Sequence, residues 1–158
     1  EWFSSPIVYQ TSEFADRFKP IMRKYFSSKS GLWHYLHMAE GNYREYLHTD
    51  MVRAKKYFYV LRPILACRWI LEKGTPPPMP FAELMESQLD DDLKETVYEL
   101  LDLKMNAPEV KMIPRIDVLN AYLDRSIVEV KDMIECLPKE QSHEWEELNE
   151  LFFSVLEL

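Results

Sequence analysis

The proline-rich segment at residues 75–80 constrains the fold of this chain more than any other feature. It reads Thr75-Pro76-Pro77-Pro78-Met79-Pro80, and proline lacks the amide hydrogen that helix and sheet interiors require. We therefore predict a stiff, extended connector here, with separate helical segments on either side. Only three glycines occur in 158 residues, which favours helices over a turn-rich β-fold.

Apolar residues recur at helical spacing through most of the remaining chain. No alternation of apolar and polar residues is long enough to predict a strand. We predict an all-α fold, a single bundle-like domain of about seven helices. The predicted helices cover residues 12–26, 32–47, 51–73, 81–87, 93–104, 117–137 and 142–156. The buried face of the last helix is predicted to contain Trp145, Leu148, Phe152 and Val155.

The overall charge limits the classes of partner. At −8, it argues against a protein that binds nucleic acid through its whole surface. Cys67 and Cys136 lie far apart in apolar helical segments, which favours buried, reduced thiols. No run approaches 18 uninterrupted apolar residues, so we expect no membrane partner and a cytoplasmic location. Because Glu1 rather than Met opens the sequence, we interpret the chain as part of a longer protein.

One segment has the composition of an anion-binding site. Residues 51–71 contain no Asp or Glu, although the whole chain has 27 acidic residues. The same segment contains five Lys and Arg residues, which alternate with aromatic residues. At about 100° per residue, Lys55, Tyr59 and Arg62 fall on one stripe of a helix. Lysine supplies a compact charge, arginine a planar fork for two oxygens, and tyrosine a neutral donor. We therefore predict a phosphate-binding site formed by Lys55, Lys56, Tyr59 and Arg62.

Carboxylates from neighbouring helices are the alternative partners of this basic face. We expect such an internal pair for Arg68, which lies on the same side of the helix as Tyr57 and Leu61. For Lys55, Lys56 and Arg62 the pattern is equally compatible with internal pairing and with anion binding. The corresponding alternative function is a protein-interaction module that makes no nucleotide contact.

The same segment resembles a known family. Residues 55–70, KKYFYVLRPILACRWI, closely resemble the predicted nucleotidyltransferases of the YcgL type, in the DNA-polymerase-β-like superfamily. This type includes RNA-ligase-associated members with a suggested role in RNA repair. The likeness continues in order through residues 1–9, His34-Tyr35-Leu36, Asn42-Tyr43, and 74–78 with Phe81. It covers about the first half of the chain, and the second half resembles the family mainly in helical character.

The resemblance implies that residues 1–158 form the C-terminal helical, substrate-binding domain of a two-part enzyme. An N-terminal catalytic domain would carry a Gly-Ser signature and an Asp-x-Asp pair, which binds magnesium. The substrate would be a nucleoside triphosphate, with RNA as a candidate acceptor, and Lys55, Lys56, Tyr59 and Arg62 would contact phosphates. No Gly-Ser signature followed by an acidic pair occurs in this sequence. We therefore expect no catalytic residue, metal ligand or cofactor in this chain, which should not transfer nucleotides alone.

The run Asp90-Asp91-Asp92 contains an Asp-x-Asp pattern but is better explained as an acidic helix start. Negative charge is stabilising at a helix N-terminus. Asp92 and Glu95 have the spacing of a capping box, which predicts that the helix begins at Leu93.

Histidines offer a second candidate site. His34, His37 and Glu40 have the spacing of a metal site on one helix, but exposed or internally bonded histidines are the simpler explanation. We instead assign His34 to the wall of a cleft that faces the expected catalytic domain. Tyr43 and Tyr46 are more compatible with a hydrophobic core than with base stacking.

Overall fold

The computed structural model describes residues 5–106, 111–140 and 143–156. These residues form seven helices and one small sheet, which confirms the predicted all-α class. No helix in these ranges combines the length and the apolar surface that a membrane span requires. Residues 1–4, Pro108 and the predicted helix start at residue 142 lie outside the described part. The elements are α1 (Glu13–Lys24), α2 (Ser28–Tyr46), β1 (Met51–Arg53), α3 (Ala54–Lys73), α4 (Phe81–Gln88), α5 (Asp91–Asn106), β2 (Met112–Pro114), α6 (Asp117–Cys136) and α7 (Glu146–Leu156).

Helix α2 begins four residues before the predicted start at residue 32. The hydroxyl of Ser27 accepts a hydrogen bond from the Ser30 amide at 3.0 Å, which caps the helix. The Lys29 amide donates to the Glu140 carboxylate at 2.8 Å. These side chains satisfy amides that a helix start otherwise leaves without partners. The serine-rich stretch therefore caps α2 and does not interrupt it.

Two short strands that the sequence pattern does not predict precede α3 and α6, so the predicted start of the third helix at residue 51 is wrong. Strands β1 and β2 pair antiparallel, with Val52 opposite Ile113. Val52 is buried, and the Ala54 amide donates to the Lys111 carbonyl at 3.2 Å. Three-residue strands are too short for a detectable alternation, and their pairing joins distant parts of the sequence. The sheet fixes the point at which α3 begins.

Helix α3 forms the centre of the molecule and packs against α2, α4, α5 and α6. Its side chains are buried on several sides, among them Tyr57, Leu61 and Leu65, each with 0% of its surface exposed. The helix ends at Lys73, as predicted, and is capped by Gly74, whose φ of 65° lies in the left-handed region that favours glycine. Because α3 is enclosed in this way, only a narrow part of its surface faces solvent.

A buried hydrogen-bond network locks α3 to α2 and α6. The Tyr57 hydroxyl donates to Asn120 Oδ1 and accepts from the Ile116 amide, both at 2.7 Å. Asn120 Nδ2 donates to the Leu47 carbonyl at 2.8 Å and lies 3.5 Å from the Tyr43 hydroxyl. Burial, with a hydrogen bond to Asp124, raises the pKa of Tyr43 to about 12, so this phenol is protonated at neutral pH. Buried polar groups linked in this way specify one arrangement of the helices.

The two cysteines differ in exposure, so the prediction that both are buried is confirmed for Cys67 and wrong for Cys136. Cys136 lies on the solvent face of the last turn of α6. Burial raises the pKa of the Cys67 thiol to about 12. At pH 8 we expect Ellman's reagent to modify Cys136 rapidly and Cys67 only after unfolding, because the thiolate is the reactive form. A Cys136→Ser variant should show no fast phase, and rapid modification of that variant would contradict the assignment.

Helix α7 packs on α1, and its apolar face is only partly covered. The predicted burial of Trp145, Phe152 and Val155 is wrong, since these side chains are 69%, 60% and 38% exposed. Leu148 is half-buried, and Leu151 is buried. Helical spacing identifies an apolar face but does not establish that another element covers it.

Candidate functional site

A pocket of about 570 Å³ lies between α2 and α3. One wall is formed by four residues on one face of α2, at positions i, i+1, i+4 and i+8. The other wall is formed by two pairs of adjacent residues in α3, and the pairs lie about one helical turn apart. No Asp or Glu belongs to the described residues that line it. The lining residues are His34, Tyr35, Met38 and Asn42 from α2, and Phe58, Tyr59, Arg62 and Pro63 from α3.

Three of the predicted site residues, His34, Tyr59 and Arg62, meet at this pocket. The Tyr59 side chain is 45% exposed, although α3 is otherwise largely enclosed. Lys55 is half-buried in the first turn of α3 and does not belong to the pocket lining. Helical spacing therefore predicted the shared position of Tyr59 and Arg62, and the packing of α2 brings His34 to them.

Lys56 lies beside the pocket in a cage of aromatic rings. Its ammonium nitrogen is 3.4 Å from the centroid of the Tyr46 ring and 4.5 Å from that of Tyr59. Only 9% of the Lys56 surface is exposed, and no carboxylate in the described ranges pairs with it. Aromatic faces attract a cation but carry no net charge. Lys56 is thus a buried positive charge adjoining a pocket, with no internal anion in the described part of the chain.

Arg62 links the pocket to the proline connector. Its Nη1 donates to the Met79 carbonyl at 2.8 Å, and its Nη2 lies 3.5 Å from the Pro78 carbonyl. These two contacts orient the guanidinium group at the edge of the pocket. The connector predicted from the proline run thus positions a side chain of the pocket.

Lys104 is a third cation near the pocket, and no sequence pattern predicted its place there. Its ammonium nitrogen lies 4.9 Å from the centroid of the Phe58 ring, and Phe58 lines the pocket. Phe58 is held in turn by an edge-to-face contact with Phe81, with centroids 5.4 Å apart. A single lysine near the end of α5 carries no local signal, because only the packing of α5 and α4 on α3 brings it to this place.

Arg68 of α3 is held by internal contacts away from the pocket. It donates to Asp90 Oδ1 at 2.8 Å and to the Gln88 carbonyl at 3.2 Å, and its guanidinium lies 5.0 Å from the centroid of the Tyr122 ring. The internal ion pair expected for Arg68 is therefore confirmed.

The start of α5 only partly follows the prediction. Asp91 and Asp92 stand in its first turn, as expected for an acidic helix start. The helix nevertheless begins at Asp91, so the capping box that predicts a start at Leu93 is wrong. The Leu93 amide donates to the backbone carbonyl of Asp90 at 3.0 Å, while the Asp90 side chain binds Arg68.

The two histidines of α2 lie against aromatic rings. The ring centroids of His34 and Tyr35 are 5.3 Å apart, and those of His37 and Trp33 are 5.5 Å apart. Across the ranges that the structure describes, no three His, Cys, Asp or Glu side chains form a group that would hold a metal ion.

Comparisons with known proteins relate nearly the whole chain to one family. The family model described as RlaP, RNA repair pathway DNA polymerase beta family, matches residues 1–154. The uncharacterized protein YcgL of Bacillus subtilis (strain 168) is 37% identical over 159 residues. That alignment covers 99% of this chain and 61% of YcgL, so the chain spans about three fifths of this curated relative. No solved structure matches.

Proposed function

This chain belongs to the RNA repair pathway DNA polymerase beta family, and on that premise we propose that it binds a nucleoside triphosphate for nucleotidyl transfer. The proposed site is the pocket between α2 and α3. In this proposal Lys56, Tyr59 and Arg62 contact the phosphates, Lys55 reaches them from the first turn of α3 outside the pocket lining, and His34 lines the cleft. The family description suggests RNA as the acceptor. We place the reaction in the cytoplasm, where free thiols such as Cys67 remain reduced.

The observation that carries this proposal is the environment of Lys56. Burying an ammonium group without a carboxylate is costly, and a phosphate oxygen beside it would offset that cost. Arg62 adds a planar donor group on the pocket wall, and Tyr59 a neutral hydroxyl. A polyphosphate fits this set of groups better than a neutral ligand does.

The residues of this chain bind and orient the substrate in the proposed reaction. Magnesium, which nucleotidyl transfer is expected to require, prefers carboxylate and other oxygen ligands. The pocket lining includes no Asp or Glu among the described residues, so it does not fit a magnesium site. We therefore assign metal binding to the catalytic domain that the family resemblance implies. On this proposal, the chain alone binds triphosphate but does not transfer it.

Calorimetric titration of the 158-residue chain with ATP, GTP, CTP and UTP tests the proposal. Binding should weaken markedly between about 50 and about 200 mM salt, because the proposed contacts are ionic. Binding that is absent, or that is insensitive to salt, would contradict a phosphate site.

Lys104 should strengthen this binding from the α5 side. We expect Lys104→Ala to weaken triphosphate affinity by about threefold, since an exposed charge near a ligand contributes less than 1 kcal/mol. Lys104→Arg should retain most of the affinity. Lys94→Ala is the matched control, because Lys94 also lies on α5 but pairs with Asp91 at 2.8 Å. Equal losses in the Ala variants of Lys104 and Lys94 would show a general charge effect and no local contact.

The alternative, a protein-interaction module, is favoured by one observation. Helix α7 exposes Phe152, Phe153 and Leu156 by 60%, 58% and 65%. Apolar side chains grouped on one exposed helix are typical of interaction surfaces. This surface is separate from the pocket, so substitutions on α7 should leave triphosphate binding unchanged if the proposed function is correct.

A further inference from the structure

Two of the three glycines have a structural explanation, and the third, Gly41, has none within the described residues. Gly74 adopts a positive φ. A Cβ atom at Gly31 would lie 3.4 Å from side-chain atoms of Phe26 and Ile70, so this glycine faces closely packed neighbours. Gly41 lies inside α2, and a Cβ there would meet no described atom within 4 Å. Glycine destabilises a helix interior relative to alanine. A glycine is therefore unexpected at a helical position where a Cβ atom would meet no neighbour.

Gly41 lies at the edge of the proposed nucleotide pocket. It lines a hollow of about 460 Å³ together with His37, Met38, Asn42, Arg44 and Glu45, and of these residues Met38 and Asn42 also line the pocket. Met38 is 43% exposed, so its thioether is accessible at the boundary between the pocket and the hollow. The hollow therefore adjoins the pocket at Met38 and Asn42, and Gly41 lies on its surface.

The two walls of the pocket differ in chemistry. In the pocket itself the charge lies on the α3 side, at Arg62 and the neighbouring Lys56, whereas three of the four α2 residues of its lining, Tyr35, Met38 and Asn42, carry no charge. The charged residues Arg44 and Glu45 line only the adjoining hollow. A nucleotide has the same division, with anionic phosphates at one end and a flat, uncharged heterocycle at the other. Aromatic rings and thioether sulfur both make favourable contacts with such a heterocycle.

We infer that the α2 wall is a base-binding subsite, in which the heterocyclic base lies over Met38 and reaches the bare backbone at Gly41. The inference rests on the proposed function, because it assigns the second half of the same ligand. The absence of a Cβ at Gly41 lets a flat ring approach the helix closely.

Asn42 is placed to contact the edge of the base. Its Nδ2 donates to the Met38 carbonyl at 2.7 Å, and since a carbonyl only accepts, this bond fixes the orientation of the amide. Asn42 Oδ1 then points away from that carbonyl as an acceptor, and no hydrogen bond to it occurs among the described residues. Nucleobases present N–H groups along their edges, which such an acceptor recognises.

A Gly41→Ala substitution tests the subsite with two probes, ATP and inorganic tripolyphosphate. The added methyl group should raise the Tm of the chain by about 2 °C, because alanine favours the helix. It should lower ATP affinity by about tenfold while tripolyphosphate affinity stays unchanged, since only ATP has a base. A purely structural position is not expected to give a variant that is more stable and yet binds ATP more weakly.

Met38→Ala is a second variant and should also weaken ATP binding selectively. Met105→Ala is its matched control, because Met105 is a 74% exposed methionine on α5 that does not line the pocket. The inference is overturned if tripolyphosphate binds as tightly as ATP, or if Gly41→Ala weakens neither ligand or both equally. It is also overturned if Gly41→Ala weakens short single-stranded RNA but not ATP, which would make the hollow an acceptor site. If tripolyphosphate does not bind at all, the proposed phosphate site itself fails.

Discussion

Replacing Lys56 with methionine is expected to weaken triphosphate binding by about 30-fold without destabilising the fold. The affinity loss corresponds to roughly 2 kcal/mol, the contribution of a hydrogen bond to a charged group. Methionine has a similar length and retains the contacts with the rings of Tyr46 and Tyr59. Because the substitution removes a buried ammonium with no carboxylate partner in the described residues, thermal stability should stay the same or rise.

Calorimetric titration and thermal unfolding of the same preparations measure both effects. Lys73→Met is the matched control, because Lys73 lies on the same helix but is exposed and paired with Glu72 at 2.6 Å. That variant should bind triphosphate normally. A Lys56→Met protein that unfolds at much lower temperature, with unchanged affinity per folded molecule, would make Lys56 a structural residue and remove the main support for the phosphate site.

Asn120→Ala is expected to cause the largest loss of stability, about 3 kcal/mol in the free energy of unfolding. The substitution leaves the Tyr57 hydroxyl and the Leu47 carbonyl without their partner at 2.7 and 2.8 Å, and each such buried group costs about 1–3 kcal/mol. Tyr57→Phe removes one hydroxyl and should cost about 1–2 kcal/mol by the same reasoning. Urea unfolding followed by circular dichroism measures both values.

The double variant distinguishes a network from two separate contacts. If Asn120 and Tyr57 act together, the double variant should lose clearly less stability than the two single losses added. Additive losses, or a loss below about 1 kcal/mol for Asn120→Ala, would contradict the network. Since Tyr57 lies between Lys56 and Phe58 in α3, we also expect Asn120→Ala to weaken triphosphate binding modestly by loosening that part of the pocket wall.

Local sequence signals predicted the parts of the site that lie on single helices. The spacing of Tyr59 and Arg62 placed them on one surface, and Gly74 marked the end of α3, because helical geometry and capping depend on nearby residues. An internal ion pair for Arg68 was predictable, because an arginine among core residues requires a hydrogen-bond acceptor. Its partner Asp90 was not identified.

Features that depend on tertiary packing were not predictable in the same way. Lys104 reaches Phe58 only through the packing of α5, and Val52 meets Ile113 only through pairing across a long sequence separation. The exposure of Cys136 and Phe152 follows from which neighbours cover a helix, and the periodicity of that helix does not contain this information. The open space that a Cβ atom at Gly41 would occupy likewise depends on tertiary packing.

The hydrogen bonds from Arg62 to the Met79 and Pro78 carbonyls have a thermodynamic consequence for any ligand of the pocket. A long, unrestrained arginine side chain loses considerable rotamer entropy when it is immobilised on binding, and this loss weakens the association. Here the backbone of the proline-rich segment immobilises the guanidinium group when the protein folds. Preorganisation of the pocket is thus supplied by a segment that has no regular secondary structure of its own.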